Sequence, residues 1–154
     1  MNIVDSSGWL AYFADEPNAK HFLAPLNNPG SLVVPSITLY EVFKVILRES
    51  GENEALQAVV AMRKGKVVDL DTPLALAAAK LSLEYQLPMA DSIILATAHE
   101  FKATLWTQDV DFKNISKVKY FPKKSRHSKV NLSDHAAGRT PHRRCDYGSG
   151  EEVP

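Results

Sequence analysis

The chain has 154 residues, 45% of them hydrophobic and 23% charged, the composition of one globular domain with a buried core. Its single cysteine, Cys145, excludes an intramolecular disulfide, no CxxC pair is present, no basic segment or apolar leader run precedes the strand-like sequence at Ile3, and no apolar run approaches the roughly 18 residues of a membrane span, so a cytoplasmic protein is expected. The net charge of zero hides an asymmetry: residues 1–122 carry 11 Lys/Arg against 14 Asp/Glu, whereas residues 123–144 carry 7 against 1, a basic segment suited to a polyanion.

Ile3-Val4 reads as a short buried strand, and Ser6-Ser7 are capping candidates for a helix carrying Trp9, Leu10, Tyr12 and Phe13. Pro17 starts a second short helix with Phe22, Leu23 and Leu26. Asn28-Pro29-Gly30 is a turn, and Leu32-Val33-Val34 is a second buried strand closed by Pro35. A longer helix spans 37–49 and ends near Gly51, residues 53–64 continue helically, and 66–70 form a third strand. Thr72 caps an Ala/Leu-rich helix through Tyr85, with Pro73 at its first position, and Asp69 and Asp71 lead into that cap. Pro88 separates it from a helix over 92–101 opened by Asp91; residues 104–107 supply a fourth strand and 118–121 a fifth at the edge. Short apolar strands alternating with helices predict parallel βαβ units in a three-layer α/β domain over residues 1–122. Beyond Pro122 large apolar residues nearly vanish, so 123–154 is expected to be a basic, disordered tail.

Four acids stand out. Asp5 and Asp109 each follow an apolar run, at the sheet edge where open α/β folds bind ligands, although each alone also reads as a cap or turn residue. Asp91 ends the apolar row Ile94, Leu95 and Ala98 on one helix face. Glu41 falls with Lys44 and Arg48 on a polar flank, where periodicity alone makes it a solvated surface residue. Should the fold gather these carboxylates, their repulsion calls for a hard cation with oxygen ligands, Mg²⁺ or Mn²⁺.

Taken together, Ile3-Val4-Asp5-Ser6-Ser7, Ser36-Ile37-Thr38-Leu39-Tyr40-Glu41-Val42, Met89-Ala90-Asp91-Ser92-Ile93-Ile94-Leu95-Ala96-Thr97-Ala98 and Leu105-Trp106-Thr107-Gln108-Asp109-Val110-Asp111-Phe112 resemble the motifs of PIN-domain ribonucleases. The resemblance is closest to the VapC toxins of prokaryotic toxin–antitoxin pairs and covers about residues 1–122. It implies a central, mostly parallel sheet flanked by helices. It implies Asp5, Glu41, Asp91 and Asp109 as catalytic acids, and Asp5, Asp91, Asp109 and Asp111 as metal ligands, Asp111 assisting a second ion. Ser6 and Thr107 match supporting hydroxyls beside the acids, and Lys44 and Arg48 are candidate RNA contacts. The chemistry implied is in-line attack of a metal-bound water on an RNA phosphodiester. The implied partners are structured RNA, an antitoxin lying across the acidic pocket, and a second copy in a homodimer.

Two rival readings stand beside this one. The same fold can serve a Mg²⁺-dependent phosphatase or DNA nuclease, although a phosphoaspartyl phosphatase wants an acid two residues after its nucleophile, where Ser7 stands. Alternatively the acids are caps in a non-catalytic module that binds RNA or protein. His99 reads as a structural or surface residue, and His135, His142 and Cys145 match no zinc spacing. Trp9, Tyr12, Phe13 and Phe43 read as core aromatics, some of them facing a partner.

Overall fold

A computed structural model of the chain describes residues 1–124. Residues 125–154, on which nearly all of the expected disordered tail falls, lie outside the described residues. Five short strands run through the middle: β1 (Asn2–Val4), β2 (Val33–Pro35), β3 (Lys66–Val68), β4 (Thr104–Thr107) and β5 (Val118–Tyr120). β1 pairs with β4, β4 with β5 and β2 with β3, all parallel, and a parallel bridge from Asn2 to Leu32 joins the two groups. The spatial order is therefore β3-β2-β1-β4-β5.

Successive strand residues point to opposite faces. Ile3, Val33 and Leu105 enter one core with Ile94, Leu95, Ala98 and Phe112, whereas Val4 and Val34 enter another with Trp9, Phe22, Val42 and Met62. The first core is closed by α6 (Met89–Glu100), backed by α5 (Thr72–Tyr85). The second is closed by α1 (Ser6–Phe13), α2 (Leu23–Leu26), α3 (Ser36–Ser50) and α4 (Glu52–Met62). This is the expected three-layer parallel arrangement, and a sheet covered on both faces explains why the strands read as unbroken apolar runs. Full burial of a side chain such as Phe22 contributes about 1.5–3 kcal/mol. α1 lies so close on β1 that a Cβ at Gly8 meets Val4 Cγ1 at 2.6 Å and the Phe22 ring at 2.9 Å, so only glycine fits.

At α1 and α5 the helix starts differ from the expectation in the same way: an acid, not a hydroxyl, is the cap. Asp5 rather than Ser6 or Ser7 caps α1, its extended backbone (φ −73°, ψ 173°) letting the carboxylate accept from Gly8 N. Asp71 rather than Thr72 caps α5 by accepting from Leu74 N at 2.9 Å. β3 accordingly stops at Val68, because Asp69 and Leu70 already swing out toward that cap and are exposed. α6 begins at Met89, directly after Pro88, so Asp91 lies within its first turn instead of opening it. Of the four aromatics read as core, Trp9 is buried, Phe13 and Phe43 are half-buried and Tyr12 is exposed, since α1 and α3 each present only one side to the sheet.

From β1 the chain winds to β2 and β3, then crosses to β4 and β5 on the other side of β1. The order reverses between β1 and β4, and the carboxyl ends of those strands border the crevice where an open α/β sheet binds ligands. Asp5 follows β1 directly, and Asp109 is two residues past β4.

Candidate active site

Asp5 is only 3% exposed, yet its carboxylate is fully engaged. Oδ1 accepts from Ser7 Oγ at 2.8 Å and Gly8 N at 3.0 Å; Oδ2 accepts from Thr107 Oγ1 at 2.7 Å and, more distantly, from Ser7 at 3.0 Å. Burial pushes its carboxyl up to about 6 against these donors, which pull it down, and the negative Asp109 adds to the rise. Thr107 serves two acids at once, because its Oγ1 also accepts from Asp109 N at 2.8 Å.

Asp109 in turn starts the 3₁₀ turn Val110–Phe112, accepting from Asp111 N at 3.0 Å. That turn brings Asp111 round to the same side. Asp91, Asp109 and Asp111 each offer a carboxylate oxygen, and the three oxygens lie within 4.8 Å of one another. Asp91 is half-buried, and its carboxyl is pushed up to about 7, first by burial and then by the charges of Asp109, Glu41, Asp5 and Asp111. Asp91 thus feels the charge of the other four acids, and Asp5 is not one of the close trio.

Glu41 departs from the polar-flank reading. It is half-buried and accepts from Ser6 Oγ at 2.5 Å, bridging α3 to the first residue of α1. Helical periodicity fixes the angle of a side chain but not what packs there, and α1 packs against α3. Lys44 and Arg48 remain in solvent, with Lys44 Nζ 5.6 Å from the centre of the Tyr40 ring and Arg48 paired with Glu49 at 3.4 Å. Among the described residues neither cation pairs with Glu41.

The site also contains groups the sequence reading passed over. Gln108, buried between Thr107 and Asp109, donates from its backbone N to Ser7 Oγ at 3.3 Å and from Nε2 to Ser7 O at 3.1 Å. Asn18 donates from Nδ2 to Gln108 Oε1 at 3.1 Å and to Pro122 O at 3.0 Å. An asparagine after Pro17 carries only a turn signal, and nothing in the local sequence of Gln108 announces a buried amide.

The donor set of the close trio is carboxylate oxygen alone, which suits a hard divalent ion such as Mg²⁺ or Mn²⁺ rather than zinc or a soft metal. Clustered carboxylates that raise one another's proton affinity mark a place where positive charge is favourable. The residues present therefore fit such a cation.

The sequence matches the PIN domain family over residues 3–118. Among solved structures, a toxin–antitoxin complex from Klebsiella pneumoniae is similar with a TM-score of 0.68 and 23% identity, over 80% of this chain and 100% of that one. VapC20 of Mycobacterium tuberculosis, a sarcin–ricin loop cleaving toxin, is similar with a TM-score of 0.63 and 20% identity, over 73% and 93% of the two chains. DNA-bound VapBC from Salmonella typhimurium gives 0.63 and 17%, over 79% and 98%. No curated protein matches the chain. At these identities the structural likeness speaks for the fold, and the family match extends over most of the sequence: the chain belongs to the PIN domain family.

Proposed function

We propose that this protein is a Mg²⁺- or Mn²⁺-dependent endoribonuclease that hydrolyses RNA phosphodiester bonds, and that it is the toxin of a toxin–antitoxin pair. The observation that carries the reading is the trio Asp91, Asp109 and Asp111, whose carboxylate oxygens lie within 4.8 Å of one another, with Asp5 tied to Asp109 through Thr107 at the switch point of the sheet. A divalent cation bound there supplies charge neutralisation at the phosphoryl oxygens and an activated water. Asp91, Asp109 and Asp111 are the residues to hold it, with Asp5 as the further ligand. Ser7, Gly8 and Thr107 hold the Asp5 carboxylate in one orientation, so it would reach the cation through an intervening water or by giving up one of these donors. Glu41, held through Oε1 by Ser6, is proposed to orient the attacking water.

RNA as substrate is favoured by the sarcin–ricin loop cleaving relative. Lys44 and Arg48, exposed on the helix that carries Glu41, are the proposed phosphate contacts. An antitoxin partner is favoured by the toxin–antitoxin complexes among the similar structures, and a homodimer is proposed with it. A cytoplasmic location accords with the finding that no helix among the described residues is long and apolar enough to cross a membrane. The catalytic unit is proposed to be residues 1–122, with 123–154 an appended basic tail; β5 ends at Tyr120 and the family match at 118.

The test is incubation of the pure protein with total RNA in Mg²⁺, in excess EDTA, and as Asp5→Asn. Cleavage is expected only for the wild type with metal. Full activity in EDTA or in Asp5→Asn overturns the mechanism, and preferential turnover of DNA or a phosphomonoester in a parallel panel overturns the substrate.

A further inference from the structure

We infer that Gln108 and Asn18 form a buried amide relay that positions Asp5 for cation binding, acting through Ser7. The inference rests on the proposed metal site and assigns two positioning residues to it. Ser7 has one hydroxyl proton. Because the backbone N–H of Gln108 points into Ser7 Oγ at 3.3 Å, a lone pair is occupied on that side and the proton is directed to Asp5 Oδ1 at 2.8 Å. The side chain of the same glutamine grips the same serine a second time, Nε2 donating to Ser7 O at 3.1 Å. One residue at the end of β4 thus fixes both the backbone and the hydroxyl of the first turn of α1, where the Asp5 carboxylate is held.

Asn18 sets which way the glutamine amide faces. Its Nδ2 spends both protons, one on Gln108 Oε1 at 3.1 Å and one on Pro122 O at 3.0 Å. The reverse orientation would set Asn18 Oδ1 against two acceptors. In the observed one, Asn18 Oδ1 is buried with no partner among the described residues, an unfavourable setting for an amide oxygen. Asn18 and Gln108 are 3% and 7% exposed, a setting in which apolar side chains of similar volume would avoid that cost. Bulk packing therefore does not account for the pair. Direction does: the relay leaves Gln108 Nε2 one orientation and, through Ser7, adds to the hold that Gly8 N and Thr107 Oγ1 exert on Asp5.

The test is Mn²⁺ binding to the full chain, followed by calorimetry and by the electron paramagnetic resonance of free Mn²⁺. The proteins are the wild type, Gln108→Met, Ser7→Ala and the double variant. Gln108→Met is expected to weaken Mn²⁺ binding by about tenfold or more, the effect typical of partners that orient metal ligands. The double variant is expected to be no weaker than the weaker single one, because both changes act on one path. Wild-type affinity in Gln108→Met alongside a lower Tm makes the pair a structural brace and overturns the inference, as does an additive double variant. Should Gln108→Met not fold, Asn18→Leu decides in its place: a loss in the same direction supports the relay, and unchanged affinity sinks it. A wild-type protein that binds no Mn²⁺ overturns the metal reading itself, an outcome distinct from all of these.

Discussion

Asp5 and Asp91 both hold their protons more tightly than an ordinary aspartate, but the molecule treats them in opposite ways. Asp5 is buried among donors: two hydroxyls and a backbone N–H are aimed at it, and it caps α1. Its raised carboxyl reflects burial, which the hydrogen bonds oppose. Asp91 has no such donors among the described hydrogen bonds, and its carboxyl is raised by burial and by four neighbouring acids. The first is woven into the fold; the second is an unfavourable buried charge that no hydrogen bond among the described residues offsets. A shared chemical role does not imply a shared role in stability.

The largest effect that tests this contrast comes from the paired variants Asp5→Asn and Asp91→Asn. Both are expected to reduce RNA cleavage to the level seen in EDTA. Their stabilities should diverge. Asn at position 5 sets an NH₂ against the donors Ser7 and Thr107, an uncompensated clash of about 1–3 kcal/mol, so Tm falls. Asn at position 91 removes a charge that its surroundings disfavour, even though the first turn of α6 favours an acid by about 0.3–1 kcal/mol. In EDTA at pH 8, calorimetry should show Asp91→Asn melting above the wild type. A Tm as low as that of Asp5→Asn would break the comparison.

Next in size is the pH dependence, whose sign follows from Asp91. Its carboxyl titrates near 7 in the folded protein and, when unfolded, near the ordinary 3.8. Below about 4 both states are protonated and nothing is lost. Between about 4 and 7 the unfolded chain ionises while the folded protein keeps its proton, so metal-free stability falls with rising pH across that window and levels off above it. Asp5, raised to about 6, adds to the slope in the lower part of the window. Cation binding runs the other way, since the cation must displace the proton. Mn²⁺ affinity is expected to rise about tenfold per pH unit between about 6 and 7, more steeply below about 6 where Asp5 is also protonated, and then to flatten. Calorimetric titrations at pH 5.5, 6.5, 7.5 and 8 would show it, and a flat affinity would mean that Asp91 is not a ligand.

How far the sequence shows all this depends on what kind of contact makes each feature. Asp5 and Asp109 are legible because each ends an apolar run, and the βαβ pattern places strand ends at a common edge. Asp91 is legible from the apolar row it terminates. Glu41 is legible only through the motif resemblance and not from periodicity, because its partner Ser6 lies 35 residues away and the helical period cannot show that α1 covers that flank. The caps fail for a nearer reason. Asp5-Ser6-Ser7 and Asp71-Thr72 each offer adjacent capping residues, and only the backbone angle at the strand exit selects the acid. Asn18 and Gln108 are the extreme case, a pair of buried amides 90 residues apart whose meeting no local pattern encodes.

The smallest expected effects concern Lys44 and Arg48, where solvent exposure makes stability almost indifferent. Arg48→Ala removes an exposed pair with Glu49, worth about 0–1 kcal/mol, and Lys44→Ala removes an exposed cation–π contact with Tyr40, worth about 0.5–1 kcal/mol. Neither should move Tm by more than a few degrees. If these cations meet the RNA backbone, each loss should lower the slope of log affinity against log salt by about 0.7–1, leaving kcat at saturating RNA unchanged. Fluorescence anisotropy with a labelled RNA, in EDTA to prevent turnover, separates binding from chemistry. A slope equal to that of the wild type in both variants would return the two cations to the plain solvated flank that helical periodicity assigns them, and would move the RNA path to another side of the acidic crevice.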